Sequence, residues 1–243
     1  MSATSLIADH IAVELPGAMA LFTTRRGGVS TGPYESLNLG RFTDDAPEAV
    51  TRNRTHIQDE LGVRFAYGRQ VHGRAVLAHT TAPLLDGYVA PDADGQATNL
   101  RGVAPMVLTA DCVPIALAGG GAVAMLHAGW RGMAANIVAE GVAALRGLGA
   151  DGPLSAAIGP GAGPCCYEVS DDVRVAFAQY GLDVRHGRNL DLKAVARQQL
   201  VAAGVDDVVD VGLCTICSEA TRFFSHRRDH GLTGRQAGIV WLS

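Results

Sequence analysis

Asp111-Cys112-Val113-Pro114-Ile115-Ala116-Leu117-Ala118-Gly119-Gly120-Gly121-Ala122-Val123-Ala124-Met125-Leu126-His127 holds two apolar runs, 113–118 and 122–126, on either side of a glycine triplet. Short apolar runs divided by a glycine turn form a β-hairpin. The segment from Cys112 to Trp130 has no Asp, Glu, Lys or Arg, which is nominally enough for a membrane helix of about 20 residues. Pro114, the glycines and His127 interrupt it, so no span is expected. With a two-residue loop of Gly119 and Gly120, Ala118 pairs with Gly121, and counting away from the turn sets Cys112 opposite His127. A three-residue loop through Gly121 pairs His127 with Val113 instead. Either register turns a separation of 15 residues into a contact at the open end of the hairpin. Directly opposed Cβ atoms lie about 4.5–5.5 Å apart, close enough for two side chains to share one metal ion.

Around this hairpin the pattern predicts a strand over 18–24 that enters the Gly27-Gly28 turn. A helix follows over 47–61, with Asp45 as cap, Pro47 in its first turn and Gly62 as its stop. Strands are expected near 69–71, 76–78, 106–109, 154–158, 208–211 and 239–242. Helices are expected over 132–148, 171–180 and 192–203. Helices and strands do not alternate regularly, which favours an α/β protein of the α+β kind over a doubly wound sheet. The expectation is a single layered domain with mixed sheets over residues 1–243.

Hydrophobic residues make up 48% of the chain and charged ones 18%, against roughly 25% charged in an average soluble domain, so disorder is excluded as the main state. Twenty basic against 24 acidic residues leave no basic excess for a nucleic-acid footprint. Lys193 is the only lysine, so the basic set is almost all arginine, a bidentate and permanently charged anion binder. Met1 to Ser5 carry no basic residue, and Asp9, His10 and Glu14 break the first apolar segment, so no secretory signal and a cytoplasmic location are expected. Five cysteines in such a chain read as thiols, not as a disulfide framework.

His72 stands in Arg69-Gln70-Val71-His72-Gly73, after a strand-like run and before a glycine. With Cys112 and His127 it makes a set of three protein ligands that leaves a fourth position open, the composition of a catalytic zinc site. The same residues admit a second chemistry, in which Cys112 is a thiolate nucleophile, His127 its base and Asp111 or Asn38 the orienting group. Only the metal reading requires the second imidazole. Cys214-x-x-Cys217 lacks a second paired motif at zinc-ribbon spacing, and Cys165 and Cys166 are adjacent, so these four read as structural cysteines. Gly159, Gly161 and Gly163 form a run that lacks the register of a nucleotide fingerprint and reads as a tight turn.

Several motifs occur together and in order: Thr23-Thr24-Arg25-Arg26-Gly27-Gly28-Val29-Ser30, Ser36-Leu37-Asn38-Leu39-Gly40, the segment around His72, Thr109-Ala110-Asp111-Cys112-Val113-Pro114 and His127-Ala128-Gly129-Trp130-Arg131-Gly132. Ile158-Gly159-Pro160, Pro164-Cys165-Cys166-Tyr167-Glu168-Val169, Phe224-Ser225-His226-Arg227-Arg228 and Thr233-Gly234-Arg235 complete them. In these the chain resembles the YfiH-type laccase-domain family, first labelled multicopper polyphenol oxidases and later associated with purine nucleoside phosphorylase activity.

The resemblance implies the layered fold shared with cytotoxic-necrotizing-factor-like enzymes and Zn²⁺ held by His72, Cys112 and His127. It also implies phosphorolysis of adenosine, inosine, guanosine and methylthioadenosine, together with adenosine deamination. Eight scattered histidines without one His-x-His pair do not suit a multicopper centre. Purine nucleosides and phosphate are the partners it implies, with no membrane or nucleic acid, for a protein expected to be a monomer. Phosphate needs an anion site, and Arg25, Arg26, Arg131 and Arg227 lie in the matching motifs. Asn38 and Gln70 are candidates for substrate hydrogen bonds and Asp111 for a bond to an imidazole, while Glu168 reads as a helix-entry carboxylate, with an acid/base group as the alternative. The competing functions are a Cys-dependent amide hydrolase that edits peptidoglycan precursors, a polyphenol oxidase and a non-catalytic metal-stabilised binding module.

Overall fold

The computed structural model describes residues 9–81, 90–181, 184–205 and 207–243; Met1 to Ser5, on which the signal-peptide reading rests in part, lie outside them. The chain opens with β1 (Ile11–Leu15) and β2 (Ala18–Phe22), then α1 (Pro47–Leu61), β3 (Arg64–Ala66), β4 (Val76–His79), β5 (Gly95–Thr98) and β6 (Val103–Thr109). The central hairpin, β7 (Val113–Gly119) and β8 (Ala122–Ala128), precedes α2 (Trp130–Ala134), α3 (Ile137–Gly147), β9 (Ser155–Ile158) and α4 (Asp171–Ala176). A two-stranded pair, β10 (Arg185–His186) and β11 (Asn189–Leu190), leads to α5 (Leu192–Ala202), β12 (Asp207–Asp210) and β13 (Gln236–Leu242).

Two mixed sheets face each other, a five-stranded one in the order β1-β2-β13-β6-β3 and a six-stranded one in the order β12-β9-β7-β8-β5-β4. Alternation along each strand assigns its side chains to layers. Ala116, Ala118, Val123 and Met125 pack between the sheets against Phe22, Val107 and Val240. Ile115, Leu117, Ala124 and Leu126 point the other way, onto Ile137, Val138, Val195 and Leu200 of the helices. On the far side Leu21, Met106 and Ile239 pack with Ile57 of α1. Every position of β7 and β8 is therefore buried, which explains why the hairpin reads as continuous apolar runs rather than as an alternation.

The hairpin register differs from both sequence expectations. Gly119 pairs with Ala122, so the loop is Gly120-Gly121, both at positive φ (55° and 77°), as a type I′ turn requires. His127 faces Pro114, while Cys112 lies one step beyond the Val113–Ala128 pair. The slip of two residues preserves the face, so Cys112 remains a diagonal neighbour of His127.

Other boundaries also move. The helix expected over 132–148 breaks at Asn136, which adopts a left-handed conformation (φ 60°) and caps α3 by accepting from the Ala139 amide. Asp45 does not cap α1: Ala46 occupies that position, and Asp45 accepts from Asn38 Nδ2 instead. The run at 69–71 contributes only an isolated bridge from Arg69 to Asp92, and the helix expected over 171–180 shortens to α4 and a single 3₁₀ turn. β5, Gly-Gln-Ala-Thr, has little intrinsic strand preference and forms because all four residues are buried between β4 and β8. Among the described residues no helix is long and apolar enough to cross a membrane.

Burial of β7 on both faces sets an expectation for stability. Leu117→Ala, on the helix side, is expected to cost about 2–5 kcal/mol, and Ala116→Glu, between the sheets, at least as much because it buries an unpaired charge. Urea unfolding measures both, and an unchanged midpoint for either variant contradicts the layer assignment.

Candidate metal centre

The donor atoms of His72, Cys112 and His127 all lie within 4.8 Å of one another. The two imidazole rings meet edge to face with centroids 4.9 Å apart. Each side chain comes from a different piece of the fold: Cys112 from the bend into β7, His127 from the end of β8, and His72 from the loop before β4.

One carboxylate aligns them. Asp94, fully buried just before β5, accepts hydrogen bonds from the consecutive backbone amides of Val71, His72 and Gly73 at 3.1, 2.9 and 2.7 Å. Wrapping three amides around one carboxylate accompanies a left-handed conformation at His72 (φ 59°), which is uncommon for an L-residue. The same carboxylate bonds His127 Nδ1 at 2.7 Å, and the Asp94 carbonyl accepts from the His127 amide at 2.7 Å. Nδ1 is thereby occupied, which leaves Nε2 as the nitrogen for a ligand. Gly129 closes the centre. A Cβ there would lie 3.0 Å from Cys112 Sγ and 3.2 Å from the His72 ring, so any other residue crowds two donors at once.

Charge in this cluster is strongly coupled. Burial pushes the Cys112 thiol up, but the His127 charge and hydrogen bonds from both imidazoles outweigh it and bring the thiol down to about 6. Burial disfavours the His127 imidazolium, yet Cys112 and Asp94 together lift it to about 9. Burial likewise opposes Asp94 ionisation, and the bonds from His127 and the amides overcome it, holding the group below its ordinary value.

The centre opens into a cavity of about 960 Å³, whose wall includes Arg41, Phe42, Arg54, Tyr67, Met106 and Leu108. Of the residues expected to bind substrate, Gln70 and Arg227 line it, and Arg25, Asn38 and Arg131 do not. Arg25 spends its guanidinium on the carbonyls of Glu35, Ala220 and Pro33 and stacks on Phe224. Asn38 is buried as a turn residue that bonds Thr43, Asp45, Gly40 and the Arg235 amide. Arg131 stacks on Trp130, and Arg26 pairs with Glu219. Gln70 holds the amide and carbonyl of Leu108 with its own amide group.

Neither Asp111 nor Asn38 orients His127; Asp94 does. Asp111 accepts instead from Thr215 Oγ1 and the Arg227 amide, both at 2.7 Å, and tethers the far wall. Asp94 escapes sequence reading because Asp-Ala-Asp-Gly has the composition of a surface turn. Arg54 escapes it because an arginine in an amphipathic helix reads as solvated. The four remaining cysteines, Cys165, Cys166, Cys214 and Cys217, which the sequence reads as structural, converge in a second cluster.

The model of the multi-copper polyphenol oxidoreductase laccase family matches residues 19–243. A purine nucleoside phosphorylase of Xylella fastidiosa (strain Temecula1) is 42% identical over 93% of either chain. The purine nucleoside phosphorylase YfiH of Escherichia coli K12 is 38% identical over 93% of this chain and 94% of its own. The crystal structure of the Neisseria meningitidis protein NMB0706 superimposes with a TM-score of 0.84 at 37% identity, covering 97% of this chain and 99% of the other.

The electrostatics predict a window. In protein stripped of metal, the Cys112 thiolate and His127 imidazolium coexist between about pH 6 and about pH 9; acid removes the thiolate and base the imidazolium. Alkylation of the Cys112 peptide by iodoacetamide, followed by mass spectrometry, is expected to rise with a midpoint near about 6. In His127→Gln the midpoint moves up, because only His72 then opposes burial. A midpoint that His127→Gln leaves in place contradicts the coupling.

Proposed function

The chain belongs to the multi-copper polyphenol oxidoreductase laccase family, here called the YfiH-type laccase-domain family, and from that membership we propose that it is a zinc-dependent purine nucleoside phosphorylase that also deaminates adenosine. The observation that carries this reading is the donor set itself. Two imidazoles and one thiolate, one imidazole fixed by a buried carboxylate, suit an open zinc site, and the cavity beside it is large enough for a nucleoside. His72, Cys112 and His127 would hold the metal, with residues 1–243 acting as one catalytic unit. Zinc in such a site supplies a Lewis acid and lowers the pKa of a water toward about 7.

Phosphorolysis forms a bond from a phosphate oxygen to the anomeric carbon as the bond to the base nitrogen breaks, and the base departs with the electron pair. Phosphate must therefore be held as an anion inside the cavity. Arg54 fits that task better than the arginines first considered. It is 4% exposed, it lines the cavity, and its Nη2 has no hydrogen-bond partner among the described residues. Burial and then the neighbouring charge of Arg41 bring it down to about 10. A bound anion relieves both penalties. Tyr67 lies under both guanidinium groups, at 4.4 Å from Arg54 and 5.7 Å from Arg41. Met106, Leu108 and Phe42 offer apolar surface to a purine ring. Arg227 bonds the Glu168 carbonyl and lies over Tyr167, giving the opposite wall a fixed cation.

The Cys112–His127–Asp94 arrangement also has the form of a nucleophile, its base and an orienting carboxylate, which supports the amide-hydrolase reading. His72 separates the two, because only the metal chemistry needs it.

With adenosine as substrate, chromatography is expected to show adenine and ribose 1-phosphate when phosphate is present and inosine when it is absent. Cys112→Ala and His72→Ala are each expected to lose most of the zinc and both activities. Arg54→Gln is expected to raise the KM for phosphate about tenfold to a hundredfold, the loss of one charge-assisted contact, with deamination retained. Full activity in metal-free His72→Ala, or purine release indifferent to phosphate, contradicts the proposal.

A further inference from the structure

We infer that Cys165, Cys166, Cys214 and Cys217 form a second, structural zinc site, separate from the cavity and independent of the reading given above. Their sulfur atoms all lie within 4.8 Å of one another, with Cys165 and Cys217 at 3.4 Å. Four sulfurs at about 2.3 Å from a tetrahedral zinc ion stand roughly 3.8 Å apart, so the cluster already has the dimensions of a cage for a single ion. Two disulfides, Cys165–Cys217 and Cys166–Cys214, would also use all four sulfurs, but all four are free thiols here and lie mutually within 4.8 Å, as the ligands of a single ion do.

The backbone prepares Cys214 to be a thiolate. The amides of Cys217, Gly163 and Ile216 are all directed at Cys214 Sγ, the Gly163 amide at 3.3 Å. Three donors on one sulfur favour its charged form. Cys214-x-x-Cys217 supplies two of the ligands from one turn, closed by the Ser218 amide on the Cys214 carbonyl. The adjacent pair becomes usable because Cys165 and Cys166 also lie in a turn, with the Cys166 and Tyr167 amides both bonded to the Gly163 carbonyl. Gly163 packs close, since a Cβ there would meet Cys214 Cβ at 3.2 Å and Cys165 Sγ at 3.4 Å. Lys193, the only lysine, is buried nearby with Nζ on the Leu213 carbonyl at 2.6 Å and 3.9 Å from Asp210, and it feels the charge of Asp210 first, then those of Cys214, Asp191 and Cys165. A cation at that place offsets part of the excess negative charge of four thiolates around one Zn²⁺. Cys165 and Cys217 are exposed, which gives the ion a route in.

The site joins two loops that build the cavity wall. Tyr167 follows the first pair of cysteines and lines the cavity, while Thr215 follows Cys214 and holds Asp111 beside Cys112. Loading the cage with zinc fixes these loops to each other by bonds that do not pass through the sheets.

Elemental analysis of protein purified under reducing conditions and then dialysed against Zn²⁺ tests the inference. The double variant Cys165→Ser/Cys217→Ser is expected to carry one zinc fewer per chain than the wild type. Cobalt(II) added to metal-free Cys112→Ala protein, whose remaining cysteines are those of the cage, is expected to give one equivalent of intense thiolate-to-metal absorption. That second measurement needs no change in the cage and so does not depend on the double variant folding. Equal zinc content in the wild type and the double variant, or cobalt binding without the thiolate band, overturns the inference. Failure of the phosphorylase reading leaves both measurements unaffected.

Discussion

Everything at the centre depends on burying the Asp94 carboxylate. An isolated charge at a fully buried position is prohibitively costly, and it is tolerated here because each oxygen is taken up by donors: three consecutive amides and the His127 ring. Those donors are not spare. Turning three successive amides toward one point bends the chain at His72 into the left-handed region and aims that imidazole at Cys112. The fourth donor fixes the rotation of the His127 ring. One carboxylate thus determines the positions of two candidate donors from segments far apart in sequence, and does so from the end of a strand locked between two others.

The opposite wall is organised by a second carboxylate. Asp111 lies at positive φ (91°) in the bend between β6 and β7, its side chain takes Thr215 and the Arg227 amide, and its carbonyl takes the Ala162 amide. The bend delivers Cys112 to the end of β8, and the three bonds draw in the loops after β9 and β12. The geometry of the centre is therefore set by strands on one side and completed by loops on the other. Arg54 belongs to the rigid part, being mounted on α1 and buried beneath Tyr67.

The hairpin and the His72, Cys112 and His127 set are legible in the sequence. The glycine triplet and the apolar runs fix the hairpin, and the face shared by Cys112 and His127 survives a register slip because a shift of two residues preserves parity. His72 joined them because an imidazole before a glycine at a strand end suits a cleft. The quoted motifs carried the family resemblance, which in turn named the layered fold. Other features depend on tertiary context. Asp94 looks like a turn residue until three amides are seen to surround it, and Arg54 looks solvated until its Nη2, without a hydrogen-bond partner among the described residues, is found in a cavity. Arg25 and Asn38 lie in the family motifs for a reason that sequence cannot distinguish from ligand binding: they satisfy the backbone of the loop between β2 and α1. The two cysteine pairs stand 48 residues apart in sequence (214 − 166), and no spacing rule brings them together.

The dependence of the centre on Asp94 is tested most directly by the zinc dissociation constant of Asp94→Asn against the wild type, measured by competition with a chromophoric chelator. The substitution keeps the shape, removes the charge and presents an amide donor to groups that are themselves donors. Affinity at the His72/Cys112/His127 site is expected to fall about tenfold to a hundredfold, the range found when a partner behind a metal-ligating histidine is lost. An unchanged dissociation constant in folded Asp94→Asn would show that the two imidazoles hold their positions without it, and would contradict the account.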